Sequence, residues 1–195
     1  MKKIVPHSAI LIPDSAQRVF EGEIFDVYQW PQKMYDGSIA RFEMLRREDV
    51  VQAICIVGDD IIILDDEQPN RAARLTMPGG RLEPGEEPLA GAKREILEET
   101  GYEFNQWKLV RVVQPQQKLE WFVYTFVAWD VAGQSATQHD VGEKITVELK
   151  SWPEVKRLVA ERAGVLGFLA DLVSGAETLD DFKHLPEFKG KTIER

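Results

Sequence analysis

Apolar and polar residues alternate through the early part of the chain, most clearly in "RVFEGEIFDVYQW" (18–30) and "SIARFEMLRR" (38–47). Alternation sends successive side chains to opposite faces of a strand, and the intervening "PQKMYDG" supplies the Pro, Asp and Gly of a turn, so an N-terminal β-hairpin is predicted. The next stretch, "VVQAICIVGDDIIILDDEQ" (50–68), has two nearly continuous Val/Ile runs joined at Gly58-Asp59-Asp60. Such runs mark strands buried on both faces, here a second hairpin. "DEQPNRAARLTMPGG" reads as a loop. The apolar period then changes. Leu89, Ala92 and Ile96 recur at three and four residues, which predicts a helix from Glu87-Pro88 to Thr100 with these residues as its core face. Pro88 suits a first helical turn and Gly101 a left-handed cap. "WKLVRVVQ", "EWFVYTFVAWD" and "EKITVELKSW" follow as strands, and "EVKRLVAERAGVLGFLADLVSG" as a helix interrupted near Gly164 or Gly167. The last fifteen residues are polar and expected to be loosely held.

The order of elements predicts an α/β fold: a mixed sheet with helices packed on it and an N-terminal β-hairpin extension. We divide the chain into residues 1–48 as the strand extension, 49–175 as the main domain and 176–195 as a C-terminal tail. Its 195 residues suit one principal core. The net charge of -9 excludes a non-specific nucleic-acid binder, which needs a basic stripe to neutralise phosphates. The N-terminal apolar segment is short and broken by Pro6 and Pro13, which predicts neither a signal peptide nor a membrane span. Cys55 is the single cysteine, so no intrachain disulfide can form; together these features predict a reducing, cytoplasmic setting. Its apolar neighbours assign Cys55 to packing.

Charge patterning brings in the chemistry. Between Gly79 and Tyr102 lie six glutamates and only three cations, Arg81, Lys93 and Arg94. Glu95, Glu98 and Glu99 fall at i, i+3 and i+4, so their carboxylates share one helix face and repel. The negative end of the helix macrodipole adds to that cost. A divalent cation reverses both penalties, and an all-oxygen donor set favours Mg²⁺ or Mn²⁺. Such an ion would also supply the positive charge needed to accept a polyanionic substrate, which points to metal-assisted hydrolysis of a phosphoanhydride. The alternative is a solvated acidic face with Arg94 and Glu98 as an ordinary i,i+4 pair.

The spacing of the whole segment decides between the two. Gly80, five residues, Glu86, seven residues, then Arg94-Glu95-Ile96-Leu97-Glu98-Glu99-Thr100-Gly101-Tyr102 resembles the Nudix box, Gx5Ex7REUxEExGU. Its seven fixed positions would arise by chance with a frequency on the order of 10⁻⁸ per start position. Tyr102 departs from the usual aliphatic residue at a packing position. The resemblance implies a mixed sheet sandwiched between helices, and hydrolysis of a nucleoside diphosphate linked to another moiety. Carried over by position, it implies metal binding and catalysis for Glu98 and Glu99, metal binding for Glu95, and a supporting role for Gly80, Glu86, Arg94 and Gly101, with Glu86 and Arg94 ion-paired.

The leading strands and "MPGGRLEPGE" are similar to the ADP-ribose and nucleotide-sugar pyrophosphatase branch of that family. Gly79 stands where that branch usually has alanine, Thr76 where glutamate is common, and its "QYR" segment is missing. The branch implies a backbone metal contact at Gly79, a catalytic base or further metal contact at Glu143 in "GEKITVEL", a homodimer built by the N-terminal strands, and base-stacking aromatics at Tyr28 and Trp30, partly across that dimer. The substrate so implied is a nucleoside diphosphate-linked small molecule, with ADP-ribose favoured. Hydrolysis of a nucleoside triphosphate or dinucleoside polyphosphate, or a non-catalytic nucleotide sensor, are the alternatives. Trp121, Phe122, Tyr124, Phe126 and Trp129 are assigned mainly to packing, and His7, His139 and His184 lack partners at ligand spacing.

Overall fold

The computed structural model describes residues 2–69, 71–138, 142, 144–161 and 166–194. The N-terminal part contains β1 (Lys2–Val5), β2 (Gln17–Phe20), β3 (Asp26–Lys33) and β4 (Ile39–Arg46), followed by β5 (Val50–Val57), β6 (Asp60–Gln68) and β7 (Arg71–Thr76). Helix α1 (Pro88–Thr100) leads into β8 (Tyr102–Val113), β9 (Leu119–Glu120), β10 (Val123–Gln134) and β11 (Lys144–Ser151). The chain closes with α2 (Trp152–Ala160), a 3₁₀ turn (Leu166–Leu169), α3 (Ala170–Ser174), α4 (Leu179–His184) and β12 (Lys191–Glu194).

The central sheet has the order β11-β6-β5-β10-β8, with β7 added alongside β6. It is mixed: β5 and β10 run parallel, while the other pairs are antiparallel. Its central strands separate their side chains by parity, as the pleat requires. Val51, Ala53 and Cys55 join Ala92 and Ile96 of α1 in one core, whereas Ile54 and Ile56 face Trp152, Val155 and Val159 of α2 in another. Strand β6 does the same, with Ile62 and Leu64 towards α1 and Ile61 and Ile63 towards α2. Burial on both faces is the reason these strands carry Val/Ile runs instead of alternation. The result is the expected α/β sandwich.

The N-terminal hairpin is part of a larger unit. β2, β3 and β4 form a meander that β9 joins in parallel through Leu45–Leu119 and Arg46–Glu120. A small core of Ile12, Trp30 and Met44 lies beneath it. Buried carboxylates brace this unit and its junction with the central sheet. Within the unit Glu120 accepts from Arg46 Nε at 3.0 Å; at the junction Asp49, just before β5, accepts from the Phe122 amide and from Lys3 Nζ, each at 2.9 Å. Burial raises the Asp49 pKa, and Lys3 partly offsets that shift.

Three expectations change. The stretch read as a loop after residue 66 contains β7, an edge strand held to β6 by main-chain bonds while its side chains stay mostly outside the core, so no apolar pattern marks it. The second-half helix is shorter than its composition implies: α2 ends at Ala160, and residues 162–165, which include Gly164, lie outside the described residues. The final residues are not loosely held. Phe182 of α4 is fully buried with its ring 5.1 Å from Trp152, a capping box of Thr178 and Asp181 starts that helix, and β12 pairs with β1 at the other end of the chain. One aromatic residue and a distant strand partner anchor a segment whose average polarity conceals both.

Replacing Phe182 with alanine removes this anchor. Phe182→Ala is expected to destabilise the protein by about 3–5 kcal/mol, measured by urea unfolding; a loss below about 1 kcal/mol would show that the C-terminal segment does not brace the α2 side of the sheet.

Candidate active site

Helix α1 is set by its two ends. Glu87 precedes it in an extended conformation, Pro88 opens it, and Gly101 closes it at φ 74° while donating its amide to the Leu97 carbonyl at 2.8 Å. A side chain at Gly101 would place Cβ 2.2 Å from the Ser135 carbonyl oxygen, so glycine meets both the conformational and the steric demand. The helix buries Gly91, Ala92, Ile96 and Thr100. Leu89, expected on the core face, stands in the first turn and remains 41% exposed.

Turning Ala92 and Ile96 to the sheet leaves Glu95, Glu98 and Glu99 partly exposed along one wall of a cleft. Arg94 organises that wall. Its Nε and Nη2 donate to the two oxygens of Glu86 at 2.9 and 2.8 Å, a bidentate pair of the strong, direction-specific kind. Nη1 donates to Glu95 at 2.8 Å and to Glu98 at 3.1 Å, and Nη2 also reaches the Arg81 carbonyl at 3.2 Å. One guanidinium thus ties the loop before the helix to two of its acids. Hydrogen bonding to Arg94 holds the Glu86 carboxyl below its ordinary pKa, and Glu86 in turn raises that of Arg94.

The two glycines at the start of the box lie in tight space, Gly79 against backbone and Gly80 against the Glu95 carboxylate. Gly79 has φ 146°, and a Cβ there would lie 2.2 Å from the Val51 carbonyl oxygen; a Cβ on Gly80 would lie 2.3 Å from a Glu95 carboxylate oxygen. The Pro78 and Gly80 carbonyls accept from the Ala53 and Val51 amides at 3.0 and 2.9 Å, which docks this loop on β5. The Gly79 amide donates to Glu99 at 2.6 Å. Backbone bonds thus fix the loop on β5, and the Glu99 side chain ties it to the helix.

Among the described residues, no group of three or more His, Cys, Asp or Glu side chains is already gathered into a metal site. Arg94 lies between Glu95 and Glu98 instead. The residues nevertheless fit a hard divalent cation. Their donors are all carboxylate oxygen, they project from adjoining helical turns into the cleft, and the missing side chain of Gly80 leaves backbone directly against Glu95.

The cleft measures about 2240 Å³ and brings Gly79, Gly80, Glu95, Glu98 and Glu99 together. Tyr28 and Trp30 are not among the described residues lining it. Tyr28 lies under Arg46, with the guanidinium carbon 4.5 Å from the ring centroid and Nη1 bonded to the hydroxyl, and Trp30 packs against Phe42 in the small N-terminal core. Glu143 lies outside the described residues. The cleft also contains residues without a local sequence signal, notably Arg47, Arg74 and Trp121. Trp121 looked like part of a packing strand; it sits instead in the break between β9 and β10, and only that interruption could have marked it.

Glu86 has a depressed pKa, so its contribution to stability is full above its unfolded value and is lost as pH falls through the lower folded value. Glu86→Gln should therefore cost about 1–3 kcal/mol at neutral pH, with the gap to the parent shrinking on acidification below the ordinary value of 4.5. Urea unfolding at neutral and acidic pH measures this, and a pH-independent gap would contradict the ionic account.

Comparison with known proteins adds four findings. The sequence model of the NUDIX domain matches residues 46–170. The chain is 30% identical over 88 residues to an ADP-ribose pyrophosphatase of Bacillus subtilis (strain 168), covering 44% of this chain and 48% of that protein. It is 29% identical over 92 residues to a methanol dehydrogenase activator of Bacillus methanolicus, covering 46% and 50%. The match thus spans about half the length of these curated relatives. A solved structure described as an ADP compounds hydrolase superposes with a TM-score of 0.65 at 19% identity, covering 86% of this chain and 97% of that one, which supports the fold. The domain match takes in both strands of the second hairpin and the loop and helix that carry the glutamates, and on that basis the chain belongs to the Nudix family.

Proposed function

We propose that this chain hydrolyses the diphosphate bond of a nucleoside diphosphate sugar, ADP-ribose being the favoured substrate, to a nucleoside monophosphate and a sugar phosphate, with Mg²⁺ or Mn²⁺. The observation that carries the reading is the placement of Glu95, Glu98 and Glu99 on the wall of one large cleft. The name of the Bacillus subtilis relative supports the choice of substrate. Glu95, Glu98 and Glu99 are the groups to hold the cation, together with the backbone at Gly79. When bound, the cation would polarise the phosphorus and lower the pKa of a coordinated water. Arg94 and Glu86 keep the carboxylates in place, and Glu143 is the candidate to receive a proton from the attacking water.

Residues 49–175 form the catalytic domain in this reading, and residues 1–48 form an extension that pairs with a second copy. Val19, Phe20, Ile24 and Phe25, all at least 38% exposed, give that extension an apolar surface. A homodimer is expected by sedimentation equilibrium; a monomer at micromolar concentration would refute this part. A reducing, cytoplasmic setting fits Cys55, which is fully buried and whose thiol pKa burial pushes well up.

A panel of ADP-ribose, other nucleotide sugars, a dinucleoside polyphosphate and nucleoside triphosphates tests the reading. Mg²⁺-dependent release of AMP from ADP-ribose is expected, with kcat falling on the order of 10²-fold or more in Glu98→Gln and Glu99→Gln, and by a comparable amount in Glu143→Gln if it serves as base. Preference for a triphosphate would reject the branch assignment. Tight binding without turnover of any member would identify a sensor, and an unchanged kcat in Glu143→Gln would remove its proposed role.

A further inference from the structure

Arg47, in the link between β4 and β5, is half-buried in the cleft wall. Its guanidinium carbon lies 4.9 Å from the Trp121 ring centroid and 5.7 Å from that of Phe25, so aromatic faces hold it. No ion pair joins Arg47 or Arg81 to a carboxylate among the described residues. The nearby charge that Arg47 does meet is that of Arg81, which, after burial itself, lowers its pKa. Arg47 Nε and Trp121 Nε1 are both buried, and neither has a hydrogen-bond acceptor among the described residues. Guanidinium and indole can only donate, so the side chains of Arg47, Arg81 and Trp121 present protons, beside Glu48 and Glu83 in the same cleft lining. In an acidic protein, two adjacent arginines without acid partners and two buried unaccepted N–H groups form a wall complementary to an oxyanion.

We propose that Arg47, Arg81 and the Trp121 indole N–H form an oxyanion seat for a phosphate of the substrate's diphosphate, within the cleft that Glu95, Glu98 and Glu99 also line. This rests on the reading of the cleft as a diphosphate hydrolase site. The seat supplies positive charge independently of any cation held by the glutamates. It acts on binding, because its donors are in place before any bond breaks.

Calorimetric titration with inorganic pyrophosphate in the presence of EDTA tests the seat without a metal and without turnover. The intact protein should bind pyrophosphate and not adenosine. Arg47→Met and Arg81→Met should each weaken that binding by about tenfold or more. Trp121→Phe, which keeps the ring under Arg47 and removes the N–H, should weaken it several-fold. In turnover assays KM for ADP-ribose should rise by a similar factor in the arginine variants while kcat changes less than about threefold, the signature of lost uniform binding. Arg81 is exposed, so Arg81→Met decides the matter if Arg47→Met does not fold. Pyrophosphate binding no tighter than adenosine binding, or affinity and KM unchanged in Arg81→Met, overturns the seat. If ADP-ribose is not hydrolysed, the hydrolase reading fails while the pyrophosphate titration still decides the seat.

Discussion

Electrostatic compensation of crowded carboxylates is the constraint on which the site depends. Three glutamates on adjoining helical turns near a C-terminus repel one another and oppose the macrodipole. Arg94 makes the arrangement tenable by bonding to Glu86, Glu95 and Glu98 together. Its two roles are inseparable. The bidentate contact with Glu86 fixes the loop, and the remaining N–H group shares two carboxylates that face the cleft. A divalent cation bound by those carboxylates would leave the Glu86 contact intact, so the loop's support does not require the metal site to remain empty or filled.

The surrounding fold provides the rigidity this local solution lacks. Gly79 lies so close to the β5 backbone that any side chain would collide, Gly80 lies against the Glu95 carboxylate, and β5 is buried against helices on both faces. Positions on such a strand are held by close packing, which resists small displacements. Asp49 extends the same restraint. Its carboxylate bonds to Lys3 and the Phe122 amide, while its carbonyl accepts from the Leu82 amide inside the box loop. The N-terminal strand, the link between β9 and β10, and the box loop are thereby tied to the start of one strand.

Much of this was legible in the chain. The two buried hairpin strands, the helix ending at Gly101 and the glutamate spacing follow from local rules, because each is written within a few residues: apolar runs, a proline start, a glycine stop, and i, i+3, i+4 geometry. The site's other half was not legible. Arg47 and Trp121 are separated by more than seventy positions and meet only because β9 pairs with the end of β4. Tyr28 and Trp30 pack within this chain beside Arg46 and Phe42, contacts that their place on an early strand did not specify. The C-terminal segment misled for another reason: polarity averaged over fifteen residues says nothing about Phe182 or about β1 as a partner.

The sequence by itself determined the family and the pattern of acids in the box, because the spacing of Gly80, Glu86 and the Arg94–Gly101 run carries information in covalent order and helical period alone. It determined the two-faced burial of β5 and β6 for the same reason. Tertiary structure alone decided what lines the cleft together with those glutamates, which arginines lack acid partners among the described residues, and how the chain's ends are secured. These properties arise from pairing between strands distant in the chain. Burial, unsatisfied donors and ion-pair partners exist only once that pairing has removed particular groups from water.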